Sequence, residues 1–259
     1  IFSYLSGQEK VNKPVDETVY SPIIKSSDFT SKITNKYFTL TPGKKTVYEA
    51  RTQDGTERIE TYVMYETKVV MGIPTTVVWD RVWLNDELIE DTKDWYAQDK
   101  DGNVWYFGED SKEMLGGKIV SYSGSWEAGV NGAKAGIMMQ ANPIIGKSYR
   151  QEYYKGVAED MAEILSLGET VVVPYKTLTN CLKTEDWTPL ESGQEEHKYY
   201  CPEVGSVGLE VVLDGGERVE LISVEYNSVP SPSTVPEKPE VLTTKITEED
   251  AKQIALKKV

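Results

Sequence analysis

Several residue types are scarce in this chain, and each scarcity excludes a class of protein. No apolar run approaches the ~18–20 residues that a membrane-spanning helix needs. The sequence holds one histidine and two cysteines. It has no Cys-x-x-Cys, no His-Glu-x-x-His and no Gly-x-Ser-x-Gly, so the redox, zinc-protease and serine-hydrolase chemistries built on those motifs are not indicated.

Basic residues are also few. Lys and Arg total 28 against 42 Asp and Glu, which gives a formal net charge of −14. Nucleic acids and anionic lipids are bound by basic patches, so this balance argues against both as partners. It is compatible with a cation, a basic partner, a neutral ligand or a purely solubilising surface.

The sequence begins at Ile1-Phe2-Ser3, without an initiator methionine or a recognisable signal peptide. We therefore expect a mature or trimmed product.

Aromatic residues and turn signals dominate what is present, most clearly over residues 94–110, DWYAQDKDGNVWYFGED. Asp-Gly between two aromatic runs predicts a β-hairpin. Similar segments follow with turns every ~8–12 residues, the spacing of an up-and-down barrel or a sandwich. The sequence therefore predicts a mainly β protein, an antiparallel meander that forms a lipocalin-like barrel or a sandwich.

The sequence predicts four regions. Residues 1–34 form an N-terminal arm that packs on the barrel or on a neighbour, and residues 35–226 form the barrel-like domain. Residues 227–240 hold four of the twelve prolines and form an extended linker. Residues 241–259 contain a helix, since Thr247 is a good N-cap and Asp250 stands three residues later. Within the β domain, residues 127–147 are rich in Gly, Ala and Asn and predict a long loop, perhaps over one barrel end.

The two cysteines, Cys181 and Cys201, flank a segment with a turn signal at Glu191-Ser192-Gly193. An antiparallel fold at that turn brings the two positions opposite each other, where a disulfide can form. Two buried free thiols are the alternative. A disulfide, together with the abundance of Tyr and Thr, favours an extracytoplasmic protein.

Two resemblances support that compartment. The tail KITEEDAKQIALKKV, residues 245–259, resembles the opening helix of a PepSY domain, a small module of bacterial extracytoplasmic proteins. Residues 27–226 resemble an uncharacterised bacterial extracytoplasmic β domain. The resemblance rests on NKYFTLTPGKKTVYE from Asn35, DWYAQDKDGNVWYFGE from Asp94, SWEAG from Ser125, YRQEYYKGVAEDMAE from Tyr149 and EHKYYCPEVG from Glu196. It implies secretion or an envelope location, and no activity.

Tryptophans are the first candidate for a binding site. Trp79 and Trp83 are four residues apart and share a face of a strand. Together with Trp95, Trp105 and Trp126, they form a stacking platform, a lining for an apolar ligand or part of a packed core.

Acidic residues near the 99–103 turn are the second candidate. Asp99, Asp101 and Asn103, followed by Glu109, offer the hard oxygen ligands that Ca²⁺ needs. An EF-hand-like loop would place its first and last ligands at Ala97 and Gly108, whose side chains cannot serve. A plain hairpin turn is therefore the competing interpretation, and no other cofactor is indicated.

Three functions follow as hypotheses. The first is a non-enzymatic secreted or cell-envelope module that binds a small or apolar ligand or a surface protein partner. The second is a structural subunit of the cell surface that assembles through the N-terminal arm. The third is a carboxylate-dependent hydrolase, for which candidates exist by residue type alone: Glu60, Asp80, Glu127, Glu152 and Glu163. The single histidine, His197, is predicted to lie on a strand surface, and no catalytic residue is assigned.

Overall fold

The computed structural model describes residues 20–191 and 193–228. Within these ranges the chain forms a 3-10 helix, Ser26–Asp28, and the strands β1 (Phe29–Thr30), β2 (Ile33–Thr34), β3 (Thr39–Leu40), β4 (Lys45–Thr52), β5 (Gly55–Val70), β6 (Ile73–Leu84), β7 (Glu87–Asp99), β8 (Val104–Leu115), β9 (Lys118–Ser121), β10 (Trp126–Glu127), β11 (Lys134–Met139), β12 (Ser148–Arg150), β13 (Glu152–Tyr153), β14 (Met161–Val172), β15 (Thr177–Trp187), β16 (Glu195–Cys201), β17 (Ser206–Val212) and β18 (Arg218–Glu225). The predicted helix over 241–259, its PepSY resemblance and residues 229–240 of the predicted linker lie outside these ranges. No helix in the described ranges has the length and apolar character that crossing a bilayer requires.

All but two of these strands belong to one antiparallel sheet. Its order is β12-β14-β15-β16-β17-β18-β4-β5-β6-β7-β8-β11-β13. The two ends of that order, β12 and β13, are consecutive in the chain and are separated by Gln151 alone. The sheet therefore curls into a nearly closed barrel, which confirms the predicted fold class.

Two-residue turns connect the long strands and fix their register. Met71-Gly72, Asn85-Asp86 and Gly116-Gly117 have positive φ at both positions. That is the conformation of the type I′ turn, whose twist matches the twist of the flanking strands. The predicted hairpin at Asp99–Asn103 is also present, since Asp99 N–H donates to the Asn103 carbonyl at 2.9 Å.

The described part of the predicted N-terminal arm, residues 20–34, packs against the barrel. Strand β1 pairs with β7, and the Phe29 ring lies 6.0 Å from the Trp105 ring and 5.4 Å from the Phe107 ring. A few residues later, the Phe38 ring contacts the Tyr96 ring at 5.2 Å and lies 6.4 Å from the Tyr200 ring. The segment before β3 thus fills part of the barrel interior.

The prediction of a long loop over residues 127–147 is wrong in its centre. Residues Lys134–Met139 form β11, which pairs with β8 on one side and with β13 on the other. Gly136 allows this close pairing, because a Cβ there would lie 2.3 Å from the carbonyl carbon of Gln151. A segment rich in small residues therefore forms part of the wall.

The predicted Cys181–Cys201 disulfide is present. Because Leu182 pairs with Tyr200, the two cysteines are directly opposed on β15 and β16, and their Cα atoms are 4.2 Å apart. Both are fully buried, in a cluster that includes Leu178, Leu209 and Leu221. The disulfide thus joins neighbouring strands within a second, smaller core.

We predict that the double substitution Cys181→Ala/Cys201→Ala lowers the free energy of unfolding by about 3 kcal/mol, because a cross-link spanning about twenty residues restricts the unfolded chain. Urea denaturation would measure the change. Dithiothreitol should lower the free energy of unfolding of the wild type by a similar amount and leave that of the double variant unchanged. If the reductant does not change the urea concentration at the midpoint of wild-type unfolding, the prediction is contradicted.

Candidate functional site

The inner face of the barrel carries a row of hydroxyl and carboxyl side chains. Residues that pair directly across neighbouring strands point to the same face of a sheet. One such row runs across β4 to β8 in the order Thr46, Thr61, Asp80, Thr92 and Ser111. Two hydrogen bonds connect its members, from Thr61 Oγ1 to Asp80 Oδ2 at 2.8 Å and from Thr92 Oγ1 to Ser111 Oγ at 3.1 Å.

A cavity of about 210 Å³ lies against this row. One part of its wall is apolar and includes Phe38, Leu40, Ile59, Val63, Val78 and Val219. The other part carries polar groups, namely Lys44, Thr46, Thr61, Asp80, Asp94, Ser206 and Glu210. The barrel is therefore partly hollow, and its space combines an apolar surface with carboxyl groups.

Asp80 and Asp94 are the carboxyl groups on the β6 and β7 side of the cavity. The Tyr106 hydroxyl donates to Asp94 Oδ1 at 2.6 Å. Burial and, to a smaller extent, the charge of the neighbouring Asp94 raise the pKa of Asp80 to about 8. Burial also raises the pKa of Asp94. In the described part of the chain, no Lys or Arg nitrogen lies within 4.0 Å of either carboxyl.

A second pair of carboxyl groups continues along the wall. Glu109 pairs with Asp94 across β7 and β8, and Glu152 accepts a hydrogen bond from Trp126 Nε1 at 2.9 Å. Burial raises the pKa of Glu109, and it does the same for Glu152. The inner wall thus holds several carboxyl groups that favour their protonated form near neutral pH.

One lysine, Lys198, lies on the opposite wall of the barrel. Lys198 Nζ lies 3.2 Å from Glu196 Oε2, 3.6 Å from Glu210 Oε2 and 3.7 Å from Asp186 Oδ2. Burial lowers the pKa of Lys198, but the surrounding carboxylates outweigh that effect and hold it well above its usual value. A single ammonium group is shared among three carboxyl groups, of which Glu210 also lines the cavity.

Buried polar atoms without a partner lie beside this lysine. They are the Tyr149 hydroxyl, Thr184 Oγ1, Asp186 Oδ1 and the Tyr200 hydroxyl. Thr184 pairs with Lys198, and Tyr200 pairs with Val207, a cavity-lining residue. Buried polar atoms are almost always hydrogen-bonded, so a group of orphans indicates a place where water or a ligand completes the set.

The five tryptophans of the predicted binding platform do not converge. Trp79 and Trp83 flank Arg81, whose guanidinium carbon is 4.2 Å and 5.0 Å from their rings. Trp95 lies under Lys68 Nζ, Trp105 donates to Asp99 Oδ2 at 2.8 Å, and Trp126 contacts the Tyr106 ring at 5.3 Å. None of the five lines the cavity. A ligand-binding role for the individual rings stays a prediction.

Three of the four proposed calcium ligands, Asp99, Asp101 and Asn103, lie in one turn, and Glu109 lies apart from them. Asp99 Oδ1 accepts the backbone N–H groups of Asp101 and Asn103, and Oδ2 accepts side-chain hydrogen bonds from Asn103 and Trp105. Glu109 lies on the inner wall instead. No group of three or more acidic, histidine or cysteine side chains suited to a metal occurs in residues 20–191 and 193–228. The hairpin turn accounts for these residues, and calcium binding stays a prediction.

The five carboxylates named for hydrolysis divide between the two faces. Asp80 and Glu152 belong to the inner wall, whereas Glu60 forms ion pairs with Lys45, Arg58 and Arg81, and Glu127 with Lys68. Glu163 accepts a hydrogen bond from Ser148 at the strand edge. His197 lies in β16 opposite Glu185, as expected for a strand residue.

Sequence reasoning named Glu109 only as a calcium ligand and missed four other inward-facing charged groups: Asp94, Asp186, Lys198 and Glu210. A signal for one of them was present, because Asp94 and Tyr96 have the same parity in β7 and must share a face. Applied to the aromatic runs, that alternation would have placed Asp94 inside with the tyrosine.

Comparison with known proteins adds little to this picture. No family model matches the chain, and no curated protein matches it. One solved structure, described as "a putative lipoprotein from Parabacteroides distasonis ATCC 8503", is similar to 73% of this chain and 98% of its own, at 10% sequence identity and a TM-score of 0.39.

We predict that the free energy of unfolding falls as the pH rises from 5 to 8. Between its ordinary pKa and its folded value of about 8, Asp80 binds a proton in the folded state that it has lost in the unfolded state, so the stability it contributes at low pH disappears over this range. Asp80→Asn should make the slope shallower, by at most about 1.4 kcal/mol per pH unit, which is the contribution of one proton.

Urea denaturation at several pH values would measure both slopes. Lys44, whose pKa burial lowers to about 8, contributes in the opposite direction only above that pH, so it does not disturb the comparison. Asp214→Asn, in an exposed turn, is the matched control and should keep the wild-type slope. Identical slopes in all three proteins would refute the assignment.

Proposed function

We propose that this chain is an extracytoplasmic, non-enzymatic module that binds a small ligand inside its β-barrel. The observation that carries the proposal is the cavity of about 210 Å³ inside the barrel, which apolar side chains line together with carboxyl and hydroxyl groups. Ligand sites in proteins typically combine a concave apolar lining with a few polar groups that fix orientation.

Size supports the same conclusion. An apolar cavity of ~150 Å³ accommodates benzene, so this space is large enough for a compact molecule of six or seven heavy atoms. A ligand there contacts the side chains of Val63, Val78, Asp80 and Asp94, which are neighbours on strands β5 to β7.

The Cys181–Cys201 disulfide supports the extracytoplasmic part of the proposal, because structural disulfides persist mainly in oxidising compartments. The resemblance of residues 27–226 to an extracytoplasmic β domain points the same way. Assembly through the N-terminal arm and carboxylate-dependent hydrolysis remain predictions that none of these contacts tests.

Binding of 1-hexanol tests the proposal with a neutral probe. We expect ¹⁵N chemical-shift changes on titration to concentrate on strands β4 to β7, β17 and β18. Val78→Phe places a larger side chain in the cavity wall and should abolish them, whereas Val69→Phe, at an exposed position of β5, should leave them unchanged.

If Val78→Phe does not fold, as judged by its circular dichroism, Ile59→Phe provides a second way to fill the same space. Shift changes scattered over the surface, or equal in the filled and control variants, would overturn the proposal.

A further inference from the structure

Within the described residues, Asp80 and Asp94 have no ion-pair partner in the cavity, whereas the third carboxyl group, Glu210, shares Lys198 with two others. Lys44 also lines the cavity, but its ammonium group donates to the backbone carbonyls of Val204 and Gly205. Lys198 is already shared by Asp186, Glu196 and Glu210. An enclosed carboxylate without a partner is costly, so it either takes up a proton or meets a cation supplied from outside.

An independent observation also points to a missing polar partner. Asp186 Oδ1 and the hydroxyls of Thr184 and Tyr200 are buried without a hydrogen bond, although Thr184 and Tyr200 are fully buried and Asp186 is 6% exposed. These residues stand on the inward rows next to Glu210, and the Tyr200 ring lies 6.4 Å from the ring of the cavity residue Phe38. They do not line the cavity themselves but adjoin it, since Thr184 pairs with Lys198 and Lys198 pairs with the lining residue Glu210.

Charge decides which polar group fits. The inward-facing carboxyl groups Asp80, Asp94, Glu109, Glu152 and Glu210 give the interior a negative potential when they ionise, which opposes an anionic ligand and attracts a cation. An ammonium group offers three donors and no acceptor, which matches a site made of carboxyl and hydroxyl oxygens. The apolar wall then accommodates a short hydrocarbon chain.

We propose that the barrel cavity binds a small primary amine, with its ammonium group between Asp80, Asp94 and Glu210 and its apolar part against Phe38, Val63 and Val78. This inference rests on the proposed binding function and adds the chemical class of the ligand. The ammonium replaces the protons that otherwise neutralise these carboxyl groups.

Three six-carbon probes distinguish the classes: hexylammonium, 1-hexanol and hexanoate. Their affinities for the full chain would be measured at pH 7 by ¹⁵N NMR titration. Hexylammonium should bind at least about tenfold more tightly than hexanol, because hydrogen bonds to charged groups are stronger than neutral ones. Hexanoate should bind more weakly than hexanol.

Asp80→Asn should remove most of the preference for hexylammonium while it leaves the affinity for hexanol within about twofold, since the variant keeps the shape of the side chain. Asp214→Asn, in an exposed turn, should behave as the wild type. If Asp80→Asn fails to fold, Asp94→Asn tests the same carboxyl cluster.

The outcomes separate the two proposals. Equal binding of hexylammonium and hexanol, both sensitive to Val78→Phe, would overturn the amine class and retain a ligand-binding barrel. Absence of binding by all three probes would overturn both. A preference for hexylammonium that persists unchanged in both Asp80→Asn and Asp94→Asn would place the ammonium elsewhere and overturn the assigned site.

Discussion

Closure of the sheet depends on one short bent segment, residues 148–153. Its first half, β12, pairs with β14, and its second half, β13, pairs with β11. At the bend, Gln151 N–H donates to the Asp160 carbonyl at 2.8 Å, and Gly136 lets the two backbones meet. Without this double pairing the inner face would open to water, and neither the cavity nor the shifted acidity of its carboxyl groups would exist.

The interior shows that the fold tolerates polarity where a packed core would give more stability. Burying a carboxyl group is unfavourable unless it is protonated or paired. Three things stabilise the buried carboxyl groups here. Thr61 and Tyr106 donate hydrogen bonds, Asp80 takes up a proton, and Lys198 supplies a positive charge. An alternation of valine and leucine would fill the same barrel without that cost.

The sequence predicted the architecture well because its signals are local. Asp-Gly and Asn-Asp turns, aromatic runs and two cysteines placed symmetrically about a turn each act over a few residues, and the barrel and the disulfide followed from them. The cavity was not predictable in the same way. Asp80 and Glu210 are 130 positions apart and line one space only because the strand order brings β6 and β17 to the same interior. The tryptophans did not indicate the cavity for a related reason, because Trp79 stacks on Arg81 and does not line it.

The pairing of β4 with β18 has a mechanical consequence. Lys45 pairs with Glu225, and Ser228 N–H donates to the Gly43 carbonyl at 3.0 Å, so residues 43 and 228 lie side by side at one end of this pair of strands. Tension applied between residues 43 and 228 therefore pulls the two strands apart from one end. The ladder then bears the load one rung at a time, as in unzipping, instead of sharing it along its length as in shear.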